Sequence, residues 1–352
     1  MNGSLREKKI GYGPLSSDLS EPGDRRRFCA WADNRRVPFA VADPNDWYDI
    51  VYLTYNCDIP RWINYKTKYG DRTRVIFELV DSYFFESWSL KSQLRGIGKF
   101  LCGNSSRFYW NYRTAIRQIC QVADAVVCST DEQKTYIKRW NKNVHISLDV
   151  FANEIASRKN EYTQGKRLKL VWEGQPYTAF NILIIKEILN RLADQVELHI
   201  VTDPFYYAYA KRFFCRKTLN IFKSVKCPII FHEWKKESFV DMITQCDLAI
   251  IPIDPDDRLA MGKPENKLVL FWQIGIPTLT SATPAYTRMM NSAGIDMVCA
   301  SLEQWEVKLL QFSYISVEER QRMADKTHEF ASLAYSQDKV FLLWDQLFQS
   351  IL

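Results

Sequence analysis

The stretch that most narrows what this chain can become runs from Cys246 to Tyr286, CDLAIIPIDPDDRLAMGKPENKLVLFWQIGIPTLTSATPAY. Asp247 to Asp254 is a short, Ile-rich apolar run closed by Pro255, the pattern of a buried strand. Pro264 suits the first turn of a helix, where its missing N–H goes unused. Gly275 suits the position just past that helix, and Pro277 stops its continuation. Thr278 to Ser281 predicts the next strand. Strand, helix and strand in this order make one βαβ unit, whose two strands run parallel.

Parallel α/β sheets bind ligands outside the carboxyl ends of their strands. A helix N-terminus placed there adds unpaired N–H groups and roughly half a positive charge. This one also carries Lys263 and Lys267, with Asn266 beside them. Two ammonium groups on a positive helix end repel each other unless an anion sits between them. A phosphate or diphosphate resolves that conflict, and an ordinary βαβ unit with solvated lysines is the alternative.

Asn266-Lys267-Leu268 followed by Gly275-Ile276-Pro277 resembles the signature of the C-terminal domain of GT-B glycosyltransferases, in particular the family-four-like bacterial surface-polysaccharide enzymes. The resemblance implies that this segment grips the diphosphate and ribose of a nucleotide-sugar. Many relatives place a ribose-binding Glu five residues before the glycine; here that position is Leu270, so either Glu265 takes its place or the nucleotide is held differently. VIFELVDSY, VADAVVCST and LVWEGQP match further pieces of the fold in order, so the likeness extends from about residue 45 to the end.

At 352 residues the chain exceeds what one core organises, so two domains are expected. Nine scattered cysteines without a CxxC pair, and four distant histidines, offer neither a disulfide framework nor metal-ligand spacing. That usage points to a reducing cytosol. MNGSLREKKI lacks the apolar core of a signal peptide, and no run approaches the roughly 20 apolar residues that cross a bilayer. A cytoplasmic protein is expected, with the inner face of the plasma membrane as a possible station. The net charge of +6 does not by itself argue for nucleic acid.

Residues 1 to about 27, with the run Arg25-Arg26-Arg27, read as a loose polar start. Strands are then expected at Ile50–Tyr55, Arg74–Val80, Val122–Ser129, Val144–Phe151, Leu168–Trp172, Val196–Val201 and Ile229–Phe231, alternating with helical stretches. Alternation of this kind predicts parallel sheets with helices on both faces. The expected fold is α/β, with two Rossmann-like domains facing each other across a cleft, as the resemblance implies. The boundaries are 1-155 for an acceptor-side domain, 156-330 for a nucleotide-sugar domain and 331-352 for a C-terminal helix returning to the first.

Other candidate residues lie at strand ends. Gly174, with Gln175, follows a strand and lets backbone N–H groups approach a ligand, although a turn glycine explains it equally. His232, Glu233 and Trp234 border the nucleobase by family analogy, with Trp234 either stacking on the base or packing. Ser281 and Thr283 suit diphosphate contacts and Tyr286 suits closing the pocket; Thr283 before Pro284 equally suits a helix cap. In the first half Glu78 and Asp81 flank a strand end, where Asp81 suits a general base for the acceptor or an N-cap. No metal and no cofactor beyond the donor are expected.

From Ser87 to Ala123 there are six basic residues and no acid, interleaved with aromatics, and Lys91, Arg95 and Lys99 share one face if helical. Phe205 to Lys226 repeats the composition. Residues 88-117 and 205-226 therefore suit an anionic membrane surface, or solvated faces over aromatic cores. Three cations at about 1 kcal/mol each give reversible docking. Together these features predict a glycosyltransferase moving a sugar from a nucleotide-sugar to a glycan or lipid-linked acceptor in cell-surface polysaccharide or lipopolysaccharide assembly, with no nucleic-acid partner. A nucleotide-sugar epimerase on the same fold and a catalytically silent binding subunit are the alternatives.

Overall fold

The computed structural model describes residues 5–85, 97–100, 103, 105–208 and 214–352. They divide into two compact units, 1–150 with 337–352, and 151–336. The changeovers fall at 150/151 and 336/337, against an expected 155/156 and 330/331. The long helix Val317–Ala334 thus stays with the second unit.

The first unit holds a six-stranded parallel sheet: β1 (Ile10–Gly13), β2 (Ala40–Val41), β3 (Ile50–Thr54), β4 (Arg74–Leu79), β5 (Ala125–Cys128) and β6 (Val144–Ile146), in the order β2-β1-β3-β4-β5-β6. Ile50 and Tyr52 enter one apolar cluster while Val51 and Leu53 enter another. The sheet is thus covered on both faces, as an all-parallel sheet requires. The expected loose start is corrected here: β1 pairs with both β2 and β3, all four of its residues are buried, and Asp24 is fully buried. Asp24 accepts from the Tyr12 hydroxyl at 2.5 Å and from the Leu15 and Ser16 N–H groups. The last helix, Gln337–Gln349, completes this core. Phe348 stacks on Trp31 at 4.3 Å between centroids, and Trp344 is fully buried against Tyr52.

The second unit holds β7 (Leu168–Glu173), β8 (Val196–Thr202), β11 (Ile229–Glu233), β12 (Leu248–Ile251), β13 (Thr278–Ser281) and β14 (Val298–Cys299), all parallel, in the order β11-β8-β7-β12-β13-β14. Relabelled within the unit this is 3-2-1-4-5-6, the doubly wound order whose direction reverses between its first and fourth strands, here β7 and β12. The expected βαβ unit is present: Ala249 pairs with Thr278 and Ile251 with Thr280, joined through helix Asn266–Ile274. Gly275 ends that helix at φ 83°, a left-handed position that glycine takes without strain. Two strands stand apart from the sheet. β9 (Phe205–Ala208) and β10 (Phe214–Lys217) form an antiparallel pair leaving the carboxyl end of β8.

Candidate functional site

The switch point between β7 and β12 is where a doubly wound sheet takes its ligand, and the loops there are tied together. Gly174 follows β7 at φ 156°, and a Cβ on it would collide with the Lys267 ammonium and sit 3.1 Å from the Trp172 ring. Lys267, the second residue of helix Asn266–Ile274, reaches back to this loop. Its ammonium donates to the Glu173 carbonyl and lies 4.8 Å from the centre of the Trp172 ring. Thr202 at the end of β8 donates to the Gly174 carbonyl at 2.6 Å, and the Trp234 N–H donates to the Thr202 carbonyl at 3.0 Å. The ends of β7, β8 and β11 are thereby laced side by side.

Glu265 occupies the N-cap position of the same helix, and its carboxylate is buried rather than used as a cap. It accepts from the Tyr335 hydroxyl at 3.1 Å. Leu270, at the position where the family's ribose carboxylate is expected, is only 2% exposed and belongs to the core. Asn266 opens the helix and is half-buried. Lys263 is half-buried in the loop before it, and its ammonium forms no hydrogen bond or ion pair among the described residues. The carboxylates crowding that loop have local work: Asp257 caps the short helix Arg258–Met261 through the Leu259 and Ala260 N–H groups, and Asp254 accepts from the Asp256 N–H.

Ser281 and Thr283, expected to meet the diphosphate, and Tyr286, expected to close the pocket, are used internally. The Ser281 hydroxyl accepts from the Ile253 N–H at 2.8 Å, joining the loop after β12 to β13. Thr283 caps helix Pro284–Ala293 by accepting from the Tyr286 N–H, the capping alternative read from the sequence. Tyr286 does not close a pocket. It is 3% exposed in the core, and burial, with the Glu265 charge second, pushes its phenol above the usual range.

At the end of β11, Trp234 stacks on Phe239 at 5.4 Å between centroids, so one face of the ring is taken up by packing. Glu233 is exposed and pairs with Lys235 at 3.6 Å. His232 is bonded within the sheet. His232 Nε2 lies 3.0 Å from His199 Nδ1, and His199 Nε2 lies 3.1 Å from Glu197 Oε1. Burial, and then the His199 charge, holds the His232 imidazole below its ordinary value. Gln175 is exposed, and its side chain accepts from the Tyr177 hydroxyl.

In the first unit Glu78 is excluded from acid–base work. It is fully buried and accepts from Arg27 Nε at 2.5 Å, while Arg27 Nη1 donates to Asp149 at 3.2 Å. Burial raises the Glu78 carboxyl and the Arg27 charge opposes that shift. Asp81 is half-buried just past β4 and accepts from the Tyr83 hydroxyl at 3.3 Å. The helix it was expected to cap runs into residues outside those described. Lys91 and Arg95 also lie outside them, as do Lys211 and Arg212.

Sequence reasoning missed Trp172, Thr202, His199 and Tyr335, whose roles come from pairings across 28 to 95 residues of chain. The exposed rings of Phe100, Phe108 and Trp110, in edge-to-face contact at 5.8 and 5.3 Å, do fall within the aromatic stretch singled out above. Among the described residues no group of His, Cys, Asp or Glu is arranged to hold a metal, and no helix is long and apolar enough to cross a membrane.

No family model and no curated sequence matches the chain. Solved structures match its architecture. HepE from Anabaena, determined in complex with UDP and glucose, is 11% identical with a TM-score of 0.62 over 98% of this chain and 100% of that one. A glycosyltransferase from Rickettsia africae is 9% identical, with a TM-score of 0.60 over 98% and 99%. TarM from S. aureus is 11% identical at a TM-score of 0.58 over 85% of this chain, which spans about half of TarM's length, 54%. The chain has the GT-B fold, with two Rossmann-like units.

Proposed function

We propose that the protein transfers a sugar from a nucleotide-sugar donor to a glycan or lipid-linked acceptor in cell-surface polysaccharide or lipopolysaccharide assembly. One observation carries the reading: Gly174, Lys267 and the N-terminal end of helix Asn266–Ile274 meet at the switch point of an all-parallel sheet. The fold is that of HepE, which has also been determined with UDP-glucose. The missing side chain of Gly174 leaves room for the Lys267 ammonium, which a diphosphate bound at this sheet end would meet. The Lys267 ammonium, which donates to the Glu173 carbonyl, brings a positive charge to the end of β7. Lys267 and Lys263 stabilise negative charge as it builds on the leaving diphosphate, so catalysis is mainly electrostatic.

Glu265 and Asn266 hold the ribose side of the donor, and the Glu233–Trp234 backbone borders its base. Asp81 orients or deprotonates the acceptor hydroxyl. The exposed Phe100, Phe108 and Trp110 rings sit in an acid-free stretch with six cations, which supports reversible docking of 88–117 on an anionic membrane face.

The test is donor turnover. The purified protein is incubated with UDP-, GDP- and dTDP-sugars, with and without glycolipid extracts, and nucleoside diphosphate release is followed. Release that depends on an extract is expected. An isomerised donor without acceptor indicates an epimerase, and no consumption in either arm indicates a binding role; both results overturn the proposal.

A further inference from the structure

The β9–β10 pair lies outside the six-stranded sheet, and at its base Thr218, fully buried, donates its N–H to the Pro204 carbonyl and its hydroxyl to the Asp203 carbonyl. Antiparallel register places Phe205 opposite Lys217 and Tyr207 opposite Cys215. Directly opposed residues share a face, so one face carries Phe205 and Tyr207 with Lys217. These two rings are 49% and 59% exposed. On the other face Tyr206 meets Phe180 edge-on at 6.0 Å, and Phe180 and Tyr177 are themselves 47% and 63% exposed. Both belong to the segment Pro176–Ile185 that follows Gly174 and Gln175.

Each face of the ribbon thus has an exposed pair of rings, Phe205 with Tyr207 on one and Phe180 with Tyr177 beside the other, and exposed apolar patches mark binding surfaces. Their charge setting selects the partner. β10 carries Arg216 and Lys217, both exposed, and neither strand of the pair carries an acid. Their place in the fold selects it further. The pair springs from β8, whose last residue Thr202 bonds the Gly174 carbonyl, so the rings share a sheet end with Lys267.

We propose that β9–β10, with Tyr177 and Phe180, is a docking surface for an anionic glycan, the acceptor chain itself. Aromatic rings stack on the C–H faces of sugar rings, and Arg216 and Lys217 pair with carboxylate or phosphate groups along the chain. A glycan docked here lies at the same sheet end as the donor site, which a chain awaiting a transferred sugar must reach. Tyr207 adds a hydroxyl that hydrogen-bonds sugar. The identification of the glycan as acceptor rests on the glycosyl-transfer reading; the docking itself does not.

The experiment compares the parent with two variants of unchanged net charge, Phe205→Ser/Tyr207→Ser and Tyr177→Ser. Immobilised polygalacturonate, poly(glycerol phosphate) and neutral dextran are the glycan probes; phosphatidylglycerol vesicles and poly(U) are the competing partners. The parent is expected to bind an acidic glycan and not dextran, and the paired variant to bind at least tenfold more weakly at an unchanged melting temperature. Binding to none of the acidic glycans, tighter binding to vesicles or poly(U), or parental affinity in both variants overturns the proposal. UDP binding is measured in the same preparations. Its absence from the parent sinks the transfer reading while leaving the glycan result standing, and its presence in variants that lose the glycan separates the two sites.

Discussion

The Lys267 ammonium lies over the Trp172 ring, 4.8 Å from its centre, and donates to the Glu173 carbonyl two residues before Gln175. A cation on the second residue of one helix is therefore held at the end of the neighbouring strand by an indole face and a peptide oxygen. Lys267→Ala removes charge-assisted bonds worth about 1.5–3 kcal/mol each, so donor affinity should fall roughly ten- to hundredfold while the fold persists. Titration calorimetry with UDP, paired with thermal melting, checks both halves.

Gly174→Ala should act through the same lysine. Its new Cβ collides with the ammonium, the free end of a flexible side chain, so the lysine moves aside; the φ of 156°, which side-chain-bearing residues rarely adopt, adds backbone strain of about 1–3 kcal/mol, so the melting temperature should fall as well. Donor affinity should drop as in Lys267→Ala, and the double variant should be no weaker than the worse single one, because both changes remove a single contact. Additive losses in a calorimetric double-mutant cycle would show that Gly174 serves the ligand independently of Lys267.

The Arg27–Glu78 pair is fully buried on both sides. Removing one partner of such a pair strands the other charge, at a cost of about 3–5 kcal/mol. Glu78→Ala should show that loss in urea unfolding, whereas Asp81→Asn should unfold like the parent and lower only turnover. Equal destabilisation by the two substitutions would contradict the separation of roles.

Burial pushes the His145 imidazole down, as does Lys134, and burial with His199 does the same to His232. The native state therefore binds fewer protons than the unfolded chain in mildly acidic solution. The stability these groups contribute is complete above their ordinary value of about 6.5 and is lost as pH falls through their lowered values. The melting temperature should drop from pH 7.5 to 5.5, and less steeply in His145→Gln/His232→Gln. Parallel profiles would remove both residues from the account.

Phe108→Ser/Trp110→Ser removes rings that are 39% and 72% exposed, so folding should be untouched. Sedimentation with phosphatidylglycerol vesicles should fall at least tenfold if residues 88–117 dock on membrane. Unchanged sedimentation would end that part of the proposed function.

The second sheet was largely legible because its strands are apolar runs punctuated by Gly and Pro, and Gly275-Ile276-Pro277 marks a helix end that only one backbone path satisfies. β1 was not. Gly11 and Gly13 break its apolar run, yet Gly11 is required because a Cβ there would sit 2.9 Å from the Tyr48 ring. Charges were the least legible of all. Nothing near Glu78 in sequence reveals that Arg27, 51 residues away, pairs with it, so its place at a strand end beside Asp81 does not tell a buried structural carboxylate from a working one. The hydroxyls of Ser281 and Thr283 mislead in the same way. Loop oxygens serve the backbone or a ligand equally well, and geometry decided for the backbone.

The central claim is that the end of β7 and the start of helix Asn266–Ile274 form a diphosphate site. It is met most directly by calorimetric titration of UDP, GDP and dTDP into the parent and into Lys267→Ala. Saturable binding of at least one diphosphate to the parent, weakened at least tenfold in the variant, is the predicted result. No heat with any nucleotide, or equal affinity in the two proteins, would contradict it.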